Sequence, residues 1–174
     1  MIAVYARRVV HNLTLVHLLL VGAAGGCIYL SLREVRRRYI STWRLFAPAI
    51  LALFAGAILS LLQFAEHQPP WLFGAALAAG FVVGAARGIM IGIRHDMYRP
   101  QVNLTQAAKL LLVWVAVLLG AAVAVECLGA LLASPHLEIF RLGAALVAMF
   151  CGSAMLGRAL LLTIRLHRAD RGSS

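Results

Sequence analysis

The chain has 174 residues, of which 63% are apolar and 13% charged, with a formal net charge of +10. A water-soluble domain carries about 45–50% apolar and about 25% charged residues, so this composition excludes an ordinary soluble fold. The apolar residues arrive in blocks of about twenty, enough at about 1.5 Å per residue to cross a hydrocarbon core about 30 Å thick.

The first block covers residues 13–32. Arg7 and Arg8 precede it as they would in a secretory signal, but the apolar run is long and ends in Glu34 and Arg36 to Arg38, the pattern of a retained first helix. An Arg-rich connection over 33–44 leads to the second block, 45–64. A turn through Pro69 and Pro70 opens the third, 71–93; the fourth covers 110–132 and the fifth 142–164. The fold class that follows is all-α: one transmembrane domain, a polytopic bundle of about five helices, with no stretch long enough for a soluble domain.

Orientation follows from the placement of Lys and Arg, because short loops rich in them stay in the cytoplasm. Eleven of the sixteen fall on one side, namely Arg33, Arg36, Arg37, Arg38, Arg44, Arg94, Arg99, Lys109, Arg165, Arg168 and Arg171. The other side has Arg7, Arg8 and Arg141. The expected topology is a multi-pass protein of the bacterial inner membrane with a periplasmic N-terminus and a cytoplasmic C-terminus. The positive charge then faces the bilayer and its anionic lipid headgroups, at about 1 kcal/mol per juxtamembrane cation. Nucleic acid is not expected as a partner.

In the third block Gly80, Gly84, Gly88 and Gly92 recur at every fourth position. Small residues at this spacing form a groove in which another helix approaches closely, either within the chain or in a homo- or hetero-oligomer.

Ionisable side chains at membrane depth are functional candidates. At about 100° per residue, Arg87 lies beside the glycine groove. Arg158 lies on a face with Ala144, Ala148, Cys151 and Ala154. Both arginines stand six residues from a predicted helix end, equal depths that suit a joint site for an anion or a lipid headgroup. The plainer alternative is that each stem snorkels to the interface. Glu126 lies toward the opposite membrane face, where His17 and Arg141 are its nearest candidates. A His17–Glu126 pair would be a buried hydrogen bond or part of a proton relay.

Cys27, Cys127 and Cys151 differ in predicted depth and read as small apolar residues rather than disulfide partners. His11, His17, His67, His95, His136 and His167 place only His17 inside a span, so the chain supplies no transmembrane His pair for haem. No HExxH, GxSxG, P-loop or dinucleotide fingerprint is present, and no cofactor or metal is expected.

The stretch GFVVGAARGIMIGIRHDMYRPQVNLTQAAKLLLVWVAVLLG, residues 80–120, resembles the CcdC-like group of small bacterial membrane proteins. Gly80, Gly84, Arg87 and the segment from Arg94 to Pro100 carry the likeness: a Gly-spaced helix ending near an Arg, a short polar turn and a further hydrophobic helix. The resemblance implies a link to cytochrome c maturation and names no catalytic residue. Three classes of function stay open: a scaffold, accessory or assembly subunit of a membrane complex; a small transporter or proton conductor; and a membrane-embedded enzyme acting on lipid. The glycine seam favours the first, since a transporter calls for midplane polar groups or broken helices.

Overall fold

A computed structural model describes residues 15–36, 42–90, 93–96, 99–102, 106–132 and 138–171. Among the described residues five helices make the fold: α1 (Leu15–Arg36), α2 (Thr42–Ala65), α3 (Pro70–Met90), α4 (Gln106–Leu132) and α5 (Glu138–Arg171). All five are long and apolar enough to cross a bilayer, and the chain is a multi-pass membrane protein. The 34 residues of α5 measure about 51 Å, so this helix outruns the hydrocarbon.

Each expected span overlaps one of these helices, and the ends differ: α5 begins at Glu138 and runs to Arg171 where 142–164 was expected. α1 continues past Leu32 to Arg36, carrying Glu34 from the presumed connection into the bundle. α3 is described to Met90, and residue 93, the expected end of the third span, lies in a strand. The carbonyls of Gly88 and Ile89 near the end of α3 each accept a 2.9 Å hydrogen bond from Arg165 Nη1, a cationic cap at the negative end of the helix. The turn expected after it contains two short antiparallel strands, β1 (Ile93–Asp96) and β2 (Arg99–Val102), with Ile93 opposite Val102 and His95 opposite Pro100.

Helices α1, α2, α5 and α4 close into a ring in that order, each packed on the next, with α1 and α5 across a diagonal. α3 packs on the outside of α5. Two diagonal contacts, Cys27 to Met155 and Glu34 to Arg158, have sequence offsets of 128 and 124, so α1 and α5 run in the same direction. Both bring their C-terminal parts to the basic end of the bundle, opposite the end where the α2–α3 turn lies.

That turn is built by capping. The amide of Gln68 donates to Gln63 O at 3.3 Å and that of His67 to Phe64 O at 3.0 Å, while His67 takes φ of 64°. This is a Schellman cap with a histidine where glycine is commonest. Pro70 then starts α3, a position where the missing N–H has no consequence.

α5 is approached closely on two sides. Toward α2, a Cβ on Gly152 would lie 2.8 Å from Leu53 N, and one on Gly56 would lie 3.1 Å from Met149 Cα. Toward α3, a Cβ on Gly80 would strike Phe150 O and Ser153 Oγ, and one on Gly84 would strike Ala154 O. On Gly88 it would sit 3.1 Å from Leu161 Cβ, and from the facing side Gly157 looks onto Phe81 O. The predicted helix-packing seam of Gly80, Gly84 and Gly88 thus faces α5 of the same chain. Gly92 lies outside the described residues. Gly74, on the same helix, has nothing within 4 Å of a built Cβ.

Gly84→Leu is therefore expected to push α3 off α5 and lower stability by about 1–3 kcal/mol, while Gly74→Leu leaves it unchanged. Thermal denaturation of both variants in detergent measures the difference, and equal midpoints would mean that the close approach does not hold α3 in place.

Candidate functional site

The chemistry-bearing side chains gather at the two ends of α5. At the turn end, Arg141 stands one turn into the helix. Its Nη2 donates to Glu126 Oε1 at 2.6 Å, and its Nε lies 3.2 Å from both Glu126 oxygens. Its Nη1 meets Glu66 Oε1 at 2.6 Å. Glu126 comes from α4 and its side chain is only 1% exposed, whereas Glu66 sits in the α2–α3 turn at 35%. One guanidinium thus joins the α2–α3 turn, α4 and α5. The planar fork explains why the residue is Arg, since a lysine cannot address two carboxylates with fixed N–H directions. Gly129 makes room for its stem, as a Cβ there would fall 2.5 Å from Arg141 Cδ.

At the basic end, Arg158 Nη2 donates to Glu34 Oε1 at 2.9 Å, tying α5 to α1. Both side chains are buried, at 9% and 4% exposure. Spacing explains why α1 delivers a carboxylate here. His17, Leu20, Ala24, Cys27, Ser31 and Glu34 alternate steps of three and four, and every one is buried. Such a stripe stays on one helical face, so the face that carries leucine and alanine through the bilayer continues into Ser31 and Glu34.

The expected sites are therefore distributed as follows. Arg158 meets Glu34, while Arg87 is exposed on α3, three residues before the helix end. The carboxylate of Glu126 is held by Arg141. His17 is buried, and the α1–α5 offsets place it level with residues 141–145, at the same end as that ion pair. Gln63 is fully buried there as well, three residues before Glu66 on α2. Glu34, Glu66 and Gln63 were not singled out in the sequence. Glu34 was detectable by extending the three-four stripe, and Glu66 by its place beside the Pro69–Pro70 turn, on the same membrane face as Arg141.

Between the two ends the interior is mainly apolar, with Ala49, Ala52, Ala55, Leu59, Ala116, Leu119, Ala145 and Ala148 all buried, and the buried hydroxyls of Ser60 and Ser153 donate to carbonyls of their own helices, Gly56 O at 2.8 Å and Phe150 O at 3.0 Å. Cys27 Sγ lies 3.9 Å from Met155 Sδ and 3.4 Å from the carbonyl of Pro48, and Cys27, Cys127 and Cys151 are free thiols. Among the described residues no group of three His, Cys, Asp or Glu is placed to hold a metal ion. In comparisons with known proteins, no family model, no curated protein and no solved structure matches the chain.

Removing one member of a buried pair leaves an uncompensated charge, at about 3–5 kcal/mol, whereas removing both deletes the desolvation penalty as well. Glu34→Leu and Arg158→Leu should each destabilise strongly, and the double variant should lose clearly less than the sum. A double-mutant cycle in detergent unfolding measures this, and strict additivity would show that the pair makes no joint contribution. In the second cluster, Gly129→Ala should displace the Arg141 stem and reproduce part of the loss expected for Arg141→Leu in the same unfolding assay.

Proposed function

We propose that the protein is a scaffold, accessory or assembly subunit of a complex in the bacterial inner membrane, with its N-terminus periplasmic and its C-terminus cytoplasmic. The observation that carries this reading is the engagement of Arg141 and Arg158 of α5 by carboxylates from α4, α1 and the α2–α3 turn. Those charges act as ties between helices. They stand 17 residues apart, about 25 Å along the axis, with small apolar side chains packed between them. A proton or solute pathway would call for polar groups through that stretch. The resemblance to CcdC-like proteins, where it holds, would place the complex in cytochrome c maturation.

Anionic lipid is the second partner we propose. Arg87 is exposed three residues from the end of α3, within reach of the interface for a snorkelling side chain. With Arg158 bonded to Glu34, a headgroup at this end would meet Arg87 and the exposed arginines Arg33, Arg36 and Arg168.

Two measurements test the reading. Reporter fusions after Arg38, Gln68, Arg99 and His136 should alternate cytoplasmic, periplasmic, cytoplasmic and periplasmic, and a cytoplasmic signal after Gln68 would overturn the orientation. Purification from native membranes in mild detergent should yield a stoichiometric protein partner, and a chain that comes away alone from every detergent tried would rule out a subunit role.

A further inference from the structure

The two arginine clusters differ in one respect that points to a ligand. Arg141 grips Glu126 side-on, with Nε and Nη2 both engaged. Arg158 presents only Nη2 to Glu34. The second rung of that fork is open: Arg158 Nε and Glu34 Oε2 are both fully buried and have no hydrogen-bond partner among the described residues. Ser31 Oγ is buried too, one turn before Glu34 on the same face of α1, with only the weakly bonding Cys27 thiol one turn away as a neighbour, which leaves hydrogen-bonding capacity on the hydroxyl. A donor, an acceptor and a hydroxyl able to act as either are thus left open in one stretch of the interior.

Leaving such groups dry is unfavourable. An unsatisfied buried polar atom costs about 1–3 kcal/mol, more when the group is charged, and a buried ion pair is tolerable only when its remaining donors and lone pairs are satisfied. A buried water typically makes about three hydrogen bonds to polar groups of this kind. Glu34 is also only two residues from the end of α1, about 3 Å of helix from the basic surface, so solvent has a short way in.

We infer that Ser31, Glu34 and Arg158 form a water-binding site in which one water bridges Arg158 Nε to Glu34 Oε2 and takes its third hydrogen bond from or to Ser31 Oγ. The water completes the fork that Arg141 closes directly at the other end. It satisfies the ion pair without exposing it, and it links the α1–α5 tie to the solvent at the basic end. The bundle is then hydrated at this pair and dry through its alanine-rich middle.

The test is water-edited solid-state NMR on the full-length 15N-labelled protein in liposomes. Early magnetisation transfer from water to Arg158 Nε–H is expected, with none on the same timescale to the amide of Ala148 in the middle of the bundle. Absence of transfer at Arg158 Nε would mean that the fork closes directly on Glu34, and the water site would be overturned. Ser31→Val removes the third partner and fills part of its space. It should slow the transfer to Arg158 Nε several-fold while the Ala148 amide resonance stays in place. Ser31→Ala carries the same expectation where the valine variant fails to assemble. An unchanged build-up in a folded variant would remove Ser31 from the site.

Discussion

Charge inside hydrocarbon is the constraint on which the rest of this structure depends. α5 carries Arg141 and Arg158 within its membrane span, and neither can stay there alone without a large desolvation cost. Each is answered by carboxylates from outside α5: Glu126 of α4 and Glu66 of the α2–α3 turn at one end, Glu34 of α1 at the other. Because a charge pair must be matched in depth as well as in direction, these contacts set the height of α5 relative to α1, α2 and α4. The apolar core alone would not, since lipid tails are as apolar as leucine and helices sliding past one another gain or lose little by burial.

Close backbone approach is what lets the ties form. Gly56 and Gly152 bring α2 and α5 together, while Gly80, Gly84 and Gly157 do the same for α3 and α5. Dispersion between well-fitted backbones replaces the hydrophobic drive that a membrane cannot supply. The two devices meet at Gly129, whose missing side chain leaves the channel through which the Arg141 stem reaches Glu126. They meet again at Arg165, which leaves α5 to cap α3 just beyond Gly88. α3 is thus fastened by packing along its length and by a cation at its end, with Arg87 left on the outer surface.

Much of this was legible in the residues, and the exceptions share a cause. The five helices could be read because a span needs about twenty apolar residues, a constraint that neighbours do not alter. The four-residue glycine spacing marked α3 as a helix that another would approach, but the identity of that helix depends on tertiary structure. Arg158 was visible as an intramembrane cation on a small-residue face. Glu34 was obscured by Arg33, Arg36, Arg37 and Arg38 around it, where charge density reads as a loop, although the three-four stripe of α1 leads to it. Only the burial of Ser31 and Glu34 on the stripe shared with Cys27 shows that α1 stays in the bundle to its end. Likewise, the carbonyls of Gly88 and Ile89 near the end of α3 are capped by Arg165, 77 and 76 positions later. Hydropathy reports an average over a window; a single carboxylate or a cap contributed by a distant helix falls below that average.

The order of the elements adds a consequence. Glu34, Glu66 and Glu126 belong to α1, the α2–α3 turn and α4, whereas both of their arginines belong to α5, the last of the described helices. When the first four helices are in place, the ring lacks its fourth member and each of those carboxylates lacks its cation. Every tie then forms with the arrival of one helix, and the same helix supplies the surfaces on which α2 and α3 pack. Closure of the ring, neutralisation of the buried charge and docking of α3 are therefore one event, because all three require α5 at a single height. A helix displaced along the axis by one turn, about 5.4 Å, would break both ion-pair clusters and bring side chains against the backbones that the glycines admit. The ends and the middle of α5 thus select the same position.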